Sequence, residues 1–190
     1  VLTISGNVYA NEDNTVIGNP PCDDSTQVVR LKVNGAGNYT SSCTAATGAY
    51  SIGGVTFSGD VVLTVYLDTN GGSRAVAVTK NPSVDIADMH LYRDRIITRH
   101  EDACVPAIAD MDQYDNGQDS DIAFTATVGG TNTLSVDANT ELHVWTGKTF
   151  APGGNITLDN GGNGDAWDGA LHVATSSVFT AAGSQAHSVG

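Results

Sequence analysis

Basic side chains are scarce in this 190-residue chain: three lysines and five arginines stand against 21 acids, for a net charge of −13. A nucleic-acid binder needs a cationic footprint to displace counterions from phosphate, so nucleic acid is excluded as a partner, and anionic membrane surfaces are disfavoured for the same reason. No apolar run approaches the roughly 20 residues that would span a bilayer as a helix, so membrane insertion is not expected. Cysteine occurs three times, with no Cys-x-x-Cys and no Cys-x-x-Cys-His, which leaves zinc ribbons, thioredoxin-like redox chemistry and c-type haem without support. Helix formers are also few. Only three of the 21 acids are Glu and the rest are Asp, a residue that prefers turns and caps because its short carboxylate bonds nearby backbone amides.

What fills the gaps is glycine, 22 residues of it, with Thr, Ser, Asn, Asp and Val: the make-up of short strands joined by many turns. Acidity carried in loops, with little Lys, keeps a large assembly soluble by repulsion and suits surroundings rich in divalent cations, so an extracellular or cell-surface location is expected. Cys22 and Cys43 flank the strand-like QVVRLKV and are 21 positions apart. Bridging them would add about 3 kcal/mol by the chain-entropy estimate, and a disulfide is expected there. Cys104 is then left over for a cross-link between chains.

From Val1 to about Val84 the chain reads strand after strand. In VVLTVYLD, Val61, Leu63, Val65 and Leu67 alternate with Val62, Thr64 and Tyr66, the period of two expected when one face of a sheet is buried. Asn34-Gly35, Gly53-Gly54 and Asn70 to Gly72 supply the positive φ angles of tight hairpins. The opening ISGNVYANED followed by TAATGAYSIGGVTFSGDVVLTVYLD resembles the carboxypeptidase regulatory-like, prealbumin-like sandwich repeats of bacterial surface proteins. That resemblance implies a spacer or adhesive module, and a β-sandwich domain over residues 1–84.

The rest of the chain repeats. Ile86-Ala87-Asp88-Met89 returns 22 positions on as Ile108-Ala109-Asp110-Met111, and Tyr92 returns as Tyr114. Leu142-His143-Val144 returns 29 positions on as Leu171-His172-Val173, with Thr146, Phe150 and Gly154 matched by Thr175, Phe179 and Gly183. Periods of 20 to 30 residues mark stacked units, and short strands with glycine corners stack as a β-solenoid. A helix over DIADMHLYRDRIITRH would gather Ile86, Met89 and Ile96 on one face, but its repeat partner is rich in Asp, Asn and Gly. Paired repeats should share a structure, so strands are expected at both copies. TELHVWTGKTFAPGGNITL and GALHVATSSVFTAAG resemble rungs of the β-helical stalks of autotransporter-like surface proteins. The expected fold is thus all-β, an N-terminal sandwich with a C-terminal solenoid over residues 85–190.

Seven of the 21 acids fall between Glu101 and Asp121, and no Lys or Arg follows until Lys148. Two carboxylates about 4 Å apart repel by about 4 kcal/mol at an effective dielectric of about 20, so such a loop must splay its acids or hold a cation. Asp110, Asp112, Asp115, Asp119 and Asp121, hard oxygen donors beside Gly117, are the expected ligands of a calcium ion. His143 and His172, alternating with inward Leu and Val, are expected to stack on an outer face, with a transition-metal ladder as the sharper reading. Trp145 and Trp167 are candidates for stacking on sugar rings, with core packing as the ordinary role of indole. RHEDAC places His100, Glu101, Asp102 and Cys104 close in sequence, but strand neighbours point to opposite faces and no catalytic residues are assigned.

These features suggest a non-enzymatic structural subunit of an extracellular filament, sheath or surface layer, assembling with copies of itself through solenoid ends and strand edges. Two alternatives stand beside it: a carbohydrate-binding or adhesive module with glycan partners, and a β-helical polysaccharide-degrading enzyme working through acids such as Asp110 and Asp112.

Overall fold

The computed structural model describes residues 1–10, 28–44, 46–69, 72–159, 169–181 and 187–189, the last three by backbone only. In chain order the strands are β1 (Leu2–Tyr9), β2 (Val28–Val33), β3 (Ala36–Ser41), β4 (Ala49–Val55), β5 (Val62–Asp68), β6 (Val76–Lys80), β7 (Leu91–Tyr92) and β8 (Arg95–Thr98). After the single helical turn α1 (Ile108–Met111) come β9 (Phe124–Thr127), β10 (Thr133–Val136), β11 (Glu141–Val144), β12 (Thr149–Phe150), β13 (Asn155–Leu158), β14 (Leu171–Val173), β15 (Val178–Phe179) and β16 (His187–Val189). The protein is thus all-β, as its turn-rich composition predicts.

A seven-stranded sheet, in the order β14-β11-β8-β6-β5-β2-β3, is the spine of the molecule. Its β2-β3 hairpin closes on Asn34 and Gly35, both at positive φ (48° and 71°), the two-residue turn whose twist matches that of the strands. The sheet is antiparallel from β3 to β6 and parallel from β6 through β8 and β11 to β14. It runs unbroken past residue 84, because β6 pairs with β8 in register Val76↔Ile96, Ala77↔Ile97 and Val78↔Thr98.

Both faces of this sheet are buried along its central strands. Leu63, Val65 and Leu67 of β5, Ala77 of β6 and Ile97 of β8 enter one core together with Ile4, Val8, Ile52, Met89 and Leu91. Val62 and Tyr66 of β5, Val76 and Val78 of β6 and Ile96 of β8 enter a second core with Ile108, Phe124, Leu134, Leu142 and Phe150. The alternation in VVLTVYLD therefore separates two interiors, where a single buried face was expected. The physical reason is that the second face is covered by residues beyond 84, which explains why β5 is apolar almost without interruption.

The first core is closed by a three-stranded sheet, β4-β1-β7, and the second by a four-stranded sheet, β16-β13-β10-β9. Gly6 of β1 lets residues 86–89 come close: a Cβ there would lie 2.3 Å from the Met89 carbonyl oxygen. Ser5 and Met89 amides then bond the Ile86 and Ser5 carbonyls at 2.7 and 3.0 Å.

The two repeats behave differently. The 29-residue repeat stacks in register, with Leu142↔Leu171, His143↔His172 and Val144↔Val173 paired in parallel, and Phe150↔Phe179 paired between β12 and β15. The 22-residue repeat does not keep one structure, which corrects the expectation of strands at both copies. Residues 86–89 run beside β1 with a single bridge at Ile86 and a bend at Ala87, whereas Ile108–Met111 is helical. Both copies bury their Ile and Met, but on opposite sides of the long sheet. The first copy finds a strand to bond. The second satisfies its amides within one turn, with Asp112 N–H donating to the Ile108 carbonyl at 2.9 Å and Asp110 Oδ2 accepting the Ala107 amide at 2.8 Å.

Candidate functional site

Glu141 and His143 are two residues apart on β11 and so project from the same face of the long sheet. His172 is the register partner of His143 on the neighbouring strand β14, which sets the two imidazoles edge to face with ring centroids 4.5 Å apart. Glu141 Oε1 lies 3.3 Å from His143 Nδ1 and 3.5 Å from His172 Nδ1. Among the described residues, these three are the one group of three or more His, Cys, Asp or Glu whose donor atoms converge, all within 4.8 Å of one another.

The stacking of the two histidines matches the sequence expectation, but their common outer face does not. The His143 side chain is buried, and that of His172 is 46% exposed. This face of the long sheet belongs to the first core, and Tyr92 and Trp145 extend that core over His143 at ring distances of 6.3 and 6.1 Å. The rings continue inward, Trp145 stacked on Tyr92 at 5.9 Å and Tyr92 on Tyr9 at 5.8 Å, with His90 against Tyr9 and Trp145. Arg99 also lies over the Trp145 ring, 5.4 Å from its centroid. Trp145 is therefore a packed member of an aromatic cluster. Trp167 lies outside the described residues.

Electrostatics favour a neutral His90 inside this cluster. Burial pushes the His90 imidazole below its ordinary pKa, outweighing the upward pull of Asp88, and Arg99 adds to the lowering. The hydrogen bonding agrees, because His90 Nδ1 accepts the Asn7 amide at 3.1 Å and must keep its lone pair to do so. Beneath the site, the buried Arg95 guanidinium approaches Glu141 Oε1 at 3.4 Å. A cavity of about 220 Å³ opens beside the site, lined by Tyr92, His143, Trp145, Thr146, His172 and Thr175 among others.

The five expected calcium ligands are not gathered on one point. Asp110 pairs with Lys80 at 2.8 Å and caps α1. Asp115 accepts the Gly117 and Ala126 amides at 2.8 and 2.7 Å. Asp119 accepts the Tyr66 hydroxyl at 2.7 Å and the Asp121 amide at 3.1 Å, and Asp121 accepts the Thr69 amide at 2.8 Å. Asp112 ends α1. These acids are splayed onto separate backbone and side-chain donors, the backbone contacts being the role that short carboxylates play in turns. Burial, together with Asp119 and Tyr114, raises the Tyr66 hydroxyl far above its ordinary pKa and keeps it a donor.

Around RHEDAC, the His100 ring nitrogens face backbone. Nδ1 meets the Asp102 carbonyl, and Nε2 accepts the Thr149 amide at 3.1 Å. Glu101 bonds Arg99 and Thr79. Cys104 is a free, exposed thiol. Cys43 is buried in the first core, while Cys22, the other half of the expected bridge, lies outside the described residues.

Comparison with known proteins returns nothing: no family model, no curated protein and no solved structure matches the chain. Neither the prealbumin-like nor the autotransporter-like resemblance thereby gains a relative, and the reading of function rests on this chain alone. The group that sequence reasoning passed over is Glu141 with its partner Arg95. The signal was present in the Glu-x-His spacing, which places both side chains on one face of any strand.

Proposed function

We propose that the chain is a structural subunit of an extracellular filament, sheath or surface layer, and that it lengthens by adding a parallel rung to its β14-β15 end. In this reading the first 84 residues supply sandwich layers, and the parallel stacks β8-β11-β14 and β10-β13-β16 are successive rungs of an open solenoid. The observation that carries it is a difference between equivalent residues. Leu142 and Val144 are fully buried, whereas Leu171 and Val173, the same residues one rung on, are 37% and 40% exposed.

Val178 beside them is half exposed as well. An edge strand presenting unpaired amides and carbonyls beside apolar side chains is a template for another strand, and soluble proteins normally blunt such edges with charge or proline. Leu171–Val173 and Val178–Phe179 carry neither. A second copy of the chain is the natural cover, and a contact of that kind that does not close on itself propagates as a fibre. Calcium, expected from the acidic segment, and glycans, expected from Trp145 and Trp167, have no gathered set of residues in their favour among those described.

Electron microscopy and sedimentation of the purified protein over a range of concentrations test the reading. Filaments are expected from the native chain, and the double substitution Leu171→Lys, Val173→Lys should abolish them without unfolding the protein, because both side chains already reach solvent. A native chain that stays monomeric at high concentration, with and without calcium, overturns it.

A further inference from the structure

The convergence of Glu141, His143 and His172 has the dimensions of a metal site. Zinc binds imidazole nitrogen and carboxylate oxygen at about 2.0–2.1 Å, so the edges of its coordination tetrahedron are about 3.3 Å long. Two of the edges are already in place, at 3.3 and 3.5 Å from Glu141 Oε1 to the two imidazole nitrogens. The remaining separation, between the histidine donors, is no more than 4.8 Å. It can close by rotation of His172, the one half-exposed side chain of the three.

The other two ligands are held firmly. Glu141 and His143 are both buried on β11, and β11 is itself hydrogen-bonded between β8 and β14. Arg95 Nε approaches the same Oε1 at 3.4 Å, longer than the about 2.7–2.9 Å of a tight charge-assisted bond. The guanidinium therefore helps to orient Glu141 and would share this oxygen with a bound ion. Such an outer partner fixes a ligand in place, and its positive charge also moderates affinity for a cation.

We propose that Glu141, His143 and His172 form a mononuclear site for a divalent transition metal of the zinc type, with an open fourth position toward the cavity that both histidines line. Two imidazoles and one carboxylate suit Zn²⁺, Cu²⁺ or Ni²⁺ and discriminate against Ca²⁺ and Mg²⁺, which take oxygen. Three protein ligands leave a coordination position for water or an exogenous donor, as in zinc sites that are not purely structural. Because the ligands come from β11 and β14, the ion also clips the last paired rung to the one before it. The site is independent of whether chains assemble, and its test does not involve assembly.

Titration of the metal-free protein with Zn²⁺ by calorimetry, and with Co²⁺ by visible absorption, decides the matter. The expected result is one Zn²⁺ per chain, a tetrahedral-type Co²⁺ spectrum, and no displacement by excess Ca²⁺. His172→Ala, a change at a half-exposed position that folding tolerates, should weaken Zn²⁺ binding by more than the about 100-fold that loss of an outer partner costs. His143→Gln should do the same, while Asp112→Asn and Asp119→Asn leave binding unchanged. Zn²⁺ should raise the Tm of the native chain and not that of His172→Ala. Native-like binding in His172→Ala, or no Zn²⁺ binding by the native chain, overturns the proposal.

Discussion

Leu142 and Leu171 are the same residue at the same repeat position, paired Cα to Cα in adjacent parallel strands, yet one is fully buried and the other is more than a third exposed. The same holds for Val144 and Val173, and for His143 and His172. Identical side chains in identical strand geometry differ only in what lies on the far side. β11 has β8 and β14 as neighbours, and among the described residues β14 has β11 alone. Burial at these positions thus follows the neighbouring strand and is not a property of the repeated residue itself.

Truncation gives the largest effect and the sharpest form of this contrast. Leu142→Ala removes a side chain packed in the second core and should cost about 2–5 kcal/mol of unfolding free energy, the transfer loss plus the cavity left behind. Leu171→Ala, at the matching position, should cost less than about 1 kcal/mol, since part of that side chain is already in water. Denaturant melts of the two variants measure the difference directly. Equal losses would mean that the outer rung is covered in solution, and a Leu171→Ala penalty that grows with protein concentration would identify a second copy as the cover.

Covered and uncovered positions also separate the acids, with a smaller expected effect. Asp121 is buried and accepts the Thr69 amide and hydroxyl at 2.8 and 3.4 Å. Asp121→Ala strands that buried amide and should cost about 1–3 kcal/mol. Asp112, at the end of α1 and partly in solvent, should tolerate Asn with little change. Thermal melts with and without calcium check both variants and show whether any of the lost stability depends on the ion.

The legible part of this molecule is whatever depends on near neighbours along the chain. The alternation in β5, the Asn34-Gly35 turn and the 29-residue register of β11 with β14 all follow from local spacing. The misread parts depend on distant partners. Residues 86–89 and 108–111 have the same four-residue sequence, yet the first copy bonds along β1 and the second forms a helical turn. A single buried face was expected for β5 because the second core that covers its other face is made by residues past 84. For the site, the His143-His172 ladder was visible in the repeat. The burial of His143 was not, since it requires Tyr92 and Trp145 to fold over the same face. For the acidic segment, sequence shows how densely charges are packed, and the fold adds that Thr69, Ala126, Tyr66 and Lys80 each bond a different carboxylate.

The smallest predicted effect concerns the aromatic cover over His143. His90 touches Trp145, whose ring in turn covers His143, and burial holds the His90 pKa beneath its ordinary value. A histidine whose folded pKa is depressed binds protons more readily when unfolded, so its contribution to stability is complete above the unfolded pKa of about 6.5. That contribution is lost as the pH falls from there toward the folded value. Acidification through this window should therefore lower Tm, with protonation also breaking the Asn7 amide bond to Nδ1. His90→Gln has no titrating ring and should flatten that part of the stability profile. Trp145 fluorescence gives the local readout: it should change with the same midpoint in the native chain and not in His90→Gln. A profile identical in both proteins would place the acid sensitivity elsewhere and remove His90 from the support of the cluster around His143.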